Sequence, residues 1–229
     1  MARVCAVVFD LDNVLYDERD YVFAAFRSIA LFLSGRCRFS EDEVYSKLVC
    51  DFEKKGSMYP RLFNDAVDDL GFDQNLVPEI LRLYATVDSK VELFPEATST
   101  LLALRRLGLK LALVTNGGVQ IQRNKVRLLG VEEFFDAVVF ARETETGKEK
   151  PDPEGYRVAL QKLGVGAGEA VCVGDNPHTD FWGAKQLGMR TVRVLLGEFK
   201  DAHLSEEYEA EIVLHNLAEL PRVIERFDR

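Results

Sequence analysis

Four short polar clusters in this sequence carry residue types suited to moving a phosphoryl group. They are Asp10-Leu11-Asp12, Thr115-Asn116-Gly117, the lysines Lys148 and Lys150, and Gly174-Asp175-Asn176 with Asp180 close behind. Carboxylates hold a hard divalent cation such as magnesium, while a hydroxyl, backbone amides and an ammonium hold phosphate oxygens. Asp10 and Asp12 are spaced by two, so in extended backbone both side chains project to one side. One carboxylate can then attack phosphorus while the other reaches the leaving oxygen, and a carboxylate nucleophile forms an acyl phosphate. Each cluster also has a plainer explanation. Aspartates end strands as turn formers, and Thr115-Asn116 before two glycines reads as an ordinary loop. Arg142 to Lys150 holds six charges in nine residues and reads as a solvated run, and Asp180 reads as a helix N-cap. What favours chemistry is their joint placement, in order, one per strand end.

That placement depends on the elements between them. Apolar runs at Val4–Phe9, Leu109–Thr115, Ala137–Phe140, Ala170–Gly174, Thr191–Leu195 and, more weakly, Glu211–Leu214 suit strands covered on both faces. Helical patterns alternate with them: Pro95–Leu107, Gln120–Leu129, Pro153–Leu163 and Phe181–Leu187, each closed by glycine. The expected fold is α/β, a doubly wound parallel-sheet (Rossmann-like) core, in which ligands bind beyond the carboxyl ends of the strands. Between Tyr16 and Lys90 the strand rhythm stops. Helical stretches at Tyr21–Leu33, Glu41–Lys54, Tyr59–Leu70 and Leu76–Val87 predict an inserted all-helical domain over 16–90, with the core formed by 1–15 and 91–229. The polar loop Ala141–Glu154 is long enough to suggest a functional role.

Bulk properties narrow the classes. A net charge of -9 argues against a nucleic-acid partner. The longest apolar stretch, Tyr21–Leu33, is interrupted by Arg27 and is too short to span a membrane. The cysteines Cys5, Cys37, Cys50 and Cys172 show no metal or redox spacing. Cys5 and Cys172 are expected to be buried, and no secretory signal is seen, so a cytoplasmic location is expected.

The segments FDLDNVLYD, LVTNG, KPDPEGY and VGDNPHTD, in this order, resemble the four motifs of the haloacid dehalogenase-like hydrolase superfamily, and the helical insert resembles its α-helical cap of the first type. The resemblance implies Asp10 as nucleophile and metal ligand. It implies Asp12 as the acid that protonates the leaving alcohol and then activates water, with its backbone carbonyl on the metal. Thr115 and the Asn116 amide would bind the phosphoryl group, and Lys150 would neutralise charge, with Lys148 as the fallback. Asp175 would be the third protein ligand to Mg2+, and Asp180 an outer support. One departure is Asn13, at a tight position where many members carry glycine.

The resemblance thus implies a magnesium-dependent phosphomonoesterase acting on a small phosphorylated metabolite. Three alternatives are weighed against it: a phosphomutase using the same carboxylates, a carbon–halogen hydrolase, and a phosphate-responsive binding protein. An acid at Asp12, worth roughly 10²- to 10⁴-fold for an alkoxide leaving group, counts against the halide chemistry, in which the leaving group needs no proton. Specificity is expected from cap-edge residues, with Tyr16, Arg19, Lys54, Lys55, Tyr59, Arg61 and Asn64 as candidates. Oligomeric state is left open.

Overall fold

Strands that are apolar on both faces must be covered on both faces, and in the computed structural model, which describes residues 3–227, they are. The strands are β1 (Ala6–Phe9), β2 (Lys110–Thr115), β3 (Ala137–Phe140), β4 (Ala170–Gly174), β5 (Arg190–Val194) and β6 (Ile212–Leu214). Among the described residues they form one all-parallel sheet in the order β3-β2-β1-β4-β5-β6. All four residues of β1 are buried. The helices of the insert are α1 (Glu18–Ser34), α2 (Glu41–Lys55), α3 (Leu62–Asp69) and α4 (Val77–Ala85). Those that follow are α5 (Pro95–Arg106), α6 (Val119–Leu129), α7 (Glu154–Leu163), α8 (Phe181–Leu187) and α9 (Leu220–Phe227).

The strand order grows from β1 in one direction through β2 and β3, and in the other through β4, β5 and β6. The reversal lies between β1 and β4, which pair from Ala6–Ala170 to Phe9–Val173. A crevice opens at such a switch point because the connections leave on opposite faces. Asp10 follows β1 and Asp175 follows β4, so the fold brings both carboxylates to that crevice.

The chain divides into two compact units, Met1–Glu18 with Glu92–Arg229, and Arg19–Val91. The second is all helical. Its core packs Phe26, Ile29, Leu33, Val44, Leu48 and Ile80, with edge-on contacts among Phe26, Phe52, Phe63 and Tyr84. The apolar face of α1 is therefore absorbed by its own unit. Helix α2 starts in a capping box in which Ser40 and Glu43 satisfy each other's backbone N–H.

Three local readings change. Helix α9 was not expected, although Leu220, Val223, Ile224 and Phe227 follow the helical period and are buried. Helix α3 starts at Leu62, three residues after the expected Tyr59. Cys5 is half-buried, because it precedes β1 rather than lying within it, whereas Cys172 is buried; all four cysteines are free thiols. Among the described residues, no helix is long and apolar enough to cross a membrane.

Candidate active site

The Asp10 N–H donates to the Val173 carbonyl at 2.9 Å, extending the β1–β4 ladder by one residue. That bond fixes where the Asp10 carboxylate emerges. Lys150 Nζ donates to Asp10 at 2.6 Å and to Asp180 at 2.7 Å, and its side chain is 2% exposed. Burial opposes the charge on Lys150, but Asp10 and Asp180 outweigh it and hold the ammonium charged. Burial pushes the Asp10 carboxyl up to about 7; Lys150 opposes that rise, and the charges on Asp180 and Asp12 add to it. Burial likewise raises Asp175 well above the usual carboxylate range, with Asp180 and Asp10 adding to the effect.

The backbone of Lys150 is held by Asn116. The Asn116 side-chain amide donates to the Lys150 carbonyl and accepts the Lys150 N–H, both at 2.9 Å. This two-way clamp ties the end of β2 to the long loop. The Lys150–Pro151 peptide is cis. A second tie joins the same loops: the Gly117 N–H donates to Glu149 Oε1 at 2.5 Å, and Arg142 donates to the other oxygen of Glu149. Lys148 is 65% exposed and faces Asp152 at 3.4 Å, whereas Lys150 is the lysine that meets Asp10.

Asp180 does occupy the N-cap position of α8, but its carboxylate makes no cap bond. It accepts instead from Lys150 and from the Asn176 N–H, while Tyr156 donates to its carbonyl at 2.7 Å. Asp10, Asp175 and Asp180 bring one carboxylate oxygen each within 4.8 Å of one another. Were all three carboxylates ionised, the single positive Lys150 would leave the cluster with two negative charges in excess, which is why burial and mutual repulsion raise Asp10 and Asp175. Asp175 Oδ2 is buried with no hydrogen-bond partner. A buried, unpaired carboxylate oxygen is costly unless a cation completes it, so the residues present fit a divalent metal ion.

Asp12 lies in a separate network that the sequence reading missed. Its Oδ1 accepts from Tyr16 Oη at 2.6 Å and from Lys125 Nζ at 2.7 Å, and its Oδ2 accepts from Gln122 Nε2 at 3.0 Å. Lys125 also donates to Glu18 at 3.0 Å. Tyr16 is thus fully buried on Asp12, a correction to its reading as a cap-edge specificity residue. The sequence did hold a signal for Gln122 and Lys125. They share a helical stripe with Val126, and polar residues on the buried stripe of a helix need partners. Asn13 adopts φ 57, a left-handed conformation that asparagine tolerates, and its side chain accepts the Glu18 N–H. The Thr115 hydroxyl is buried at the end of β2 and makes a long 3.4 Å contact to the Asn116 carbonyl, weak enough to exchange for a stronger acceptor.

In the helical unit, Lys55, Tyr59 and Arg61 all turn onto Asp65, and Asn64 pairs with Gln74. Their polar groups are engaged within the unit, which weakens their reading as specificity residues.

A model of haloacid dehalogenase-like hydrolases matches residues 7–194. The chain belongs to that family. It is 33% identical to the glyceraldehyde 3-phosphate phosphatase of Methanocaldococcus jannaschii, over 97% of this chain and 98% of that one. Among solved structures, a haloacid dehalogenase-like phosphatase from Thermococcus onnurineus superposes with a TM-score of 0.68 at 26% identity, over 96% of this chain and 98% of that one. A 2-haloacid dehalogenase from Pseudomonas syringae gives 0.69 at 27% identity, over 98% and 99%. Likeness of fold therefore does not separate phosphate from halide chemistry, and the separation has to come from individual residues.

Proposed function

We propose that this chain is a magnesium-dependent phosphomonoesterase that acts on a small phosphorylated metabolite through an aspartyl-phosphate on Asp10. The observation that carries the reading is the Asp10–Lys150–Asp180 chain of short bonds beside the unpaired Asp175 oxygen. A nucleophilic carboxylate, a buried ammonium to offset phosphate charge and an incomplete cation site thus lie together.

In the first step an Asp10 oxygen forms a bond to phosphorus as the bond from phosphorus to the substrate alcohol breaks. Asp12 passes its proton to that departing oxygen. In the second step Asp12 takes a proton from water as the water oxygen bonds to phosphorus, and Asp10 leaves as a free carboxylate. The sum is ester plus water to alcohol plus phosphate. The Thr115 hydroxyl and the Asn116 N–H hold the phosphoryl oxygens, and Lys150 offsets their charge. Magnesium would be held by Asp10, Asp175 and the main-chain carbonyl of Asp12, with Asp180 supporting from outside through Lys150, and would supply positive charge to the phosphoryl oxygens. The Asp12 carboxylate, turned onto Lys125, is left for proton transfer. That role supports phosphate over halide as the leaving chemistry.

Glyceraldehyde 3-phosphate, the substrate in the name of the Methanocaldococcus relative, is the first ester to try. The test is phosphate release from a panel of small phosphate esters, with magnesium or excess chelator, each with and without a sugar bisphosphate. We expect magnesium-dependent release that needs no bisphosphate. Isomerisation of a sugar 1-phosphate outpacing release, and requiring the bisphosphate, would make the protein a mutase instead.

A further inference from the structure

Beyond the residues that would touch the phosphoryl group, the core unit contains a buried assembly around Asp12 whose arrangement has its own consequence. Lys125 is a fully enclosed cation, 2% exposed, lying between two carboxylates: Asp12 at 2.7 Å and Glu18 at 3.0 Å. A lysine ammonium is strongly hydrated and its burial is expensive, so it stays buried where carboxylates replace its water. What the lysine does is fix Asp12. With Tyr16 on the same oxygen and Gln122 on the other, the Asp12 carboxylate receives three donors and loses its freedom to rotate.

We propose that Lys125, anchored by Glu18 and assisted by Tyr16, is the positioning residue for Asp12, holding one rotamer of that carboxyl at the site of the departing oxygen. Gln122 belongs to the same frame and also donates to the Asn116 carbonyl at 2.6 Å, which couples the frame to the loop after β2. This inference rests on the proposed aspartyl-phosphate chemistry with Asp12 as the acid. Proton transfer from a fixed group is steep in distance, so a loose carboxyl is a poor acid even when correctly charged.

An effect on acid catalysis has a signature that a general loss of structure lacks. An alkyl phosphate releases a poor leaving group and depends on the proton, whereas p-nitrophenyl phosphate releases a stable anion and depends on it little. The quantity to compare is kcat/KM, which reports only steps up to departure of the alcohol and so omits the later attack of water. For Lys125→Met and Glu18→Gln in the full chain with magnesium, we expect kcat/KM to fall at least about ten times more on an alkyl phosphate than on p-nitrophenyl phosphate, a part of the general acid's usual worth. Tyr16→Phe removes a single hydroxyl and serves if Lys125→Met does not fold; it should show the same bias at smaller size. Equal losses on both esters, or no loss on either, in folded protein overturn the inference while leaving the phosphatase reading intact. A wild type that hydrolyses neither ester defeats that reading, and this inference with it.

Discussion

Asp10 is in tension with its surroundings. Burial raises its carboxyl to about 7, and the charges on Asp180 and Asp12 add to the rise against Lys150. The sign of the consequence follows from linkage. A carboxyl raised above its unfolded value near 3.8 contributes stability fully below that value and loses it as pH rises through about 7. Without metal, therefore, ionised Asp10 destabilises the protein at neutral and higher pH. In excess chelator, Asp10→Asn should be more stable than wild type at pH 8 by about 1–2 kcal/mol, well under the full worth of such a shift because the substitution also takes a carboxylate partner from the buried Lys150. The gap should narrow as pH falls through 7 and close near 4, as read by urea melts across that range. A variant less stable than wild type at pH 8 would show that Asp10 supports the fold through its bond to Lys150 more than its charge opposes it.

The elements that deliver these residues differ in how openly the sequence displays them. The apolar runs ending at Phe9, Thr115 and Gly174 could be read because a buried parallel strand must be apolar on both faces, and so the residues just after them could be read too. The Asp12 frame was hidden because it is built from a helix stripe and the loop after β1, and no local pattern says which strand end a buried lysine will reach. Lys125 is 113 residues from Asp12. Helix α9 was missed because it is only 8 residues long, a short stripe that follows the weakest strand pattern across a turn. The aim of Lys150 comes from Asn116 and from close packing by α8. Gly183 of α8 lies so near the loop that an added Cβ would run into the Pro151 carbonyl oxygen, a backbone atom that cannot swing aside. Gly183→Ala should therefore displace the segment carrying Lys150. We expect a loss of about 1–3 kcal/mol of stability and a lower kcat, measured by thermal melts and phosphate release. Unchanged melting and activity would mean that the loop yields without moving Lys150.

At the scale of the whole chain, acidity and catalysis fit one another. An overall charge of -9 is unhelpful for a phosphate ligand, and the remedy is local: one buried lysine and a cluster of carboxylates suited to a divalent cation. The inserted helical unit builds its own core, and its candidate specificity residues Lys55, Tyr59, Arg61 and Asn64 are engaged within it. The choice of ester has to come from enzymology, whereas the proposed reaction type rests on residues of the core unit. The central claim is the covalent intermediate on Asp10. The most direct test mixes enzyme, magnesium and a hydrolysed phosphate ester, quenches in acid during turnover, and maps the added mass by peptide mass spectrometry. The account predicts one phosphoryl group on the peptide containing Asp10, absent from Asp10→Asn, which should release no phosphate. Full phosphate release by Asp10→Asn, or turnover with the phosphoryl group on another residue, would contradict it.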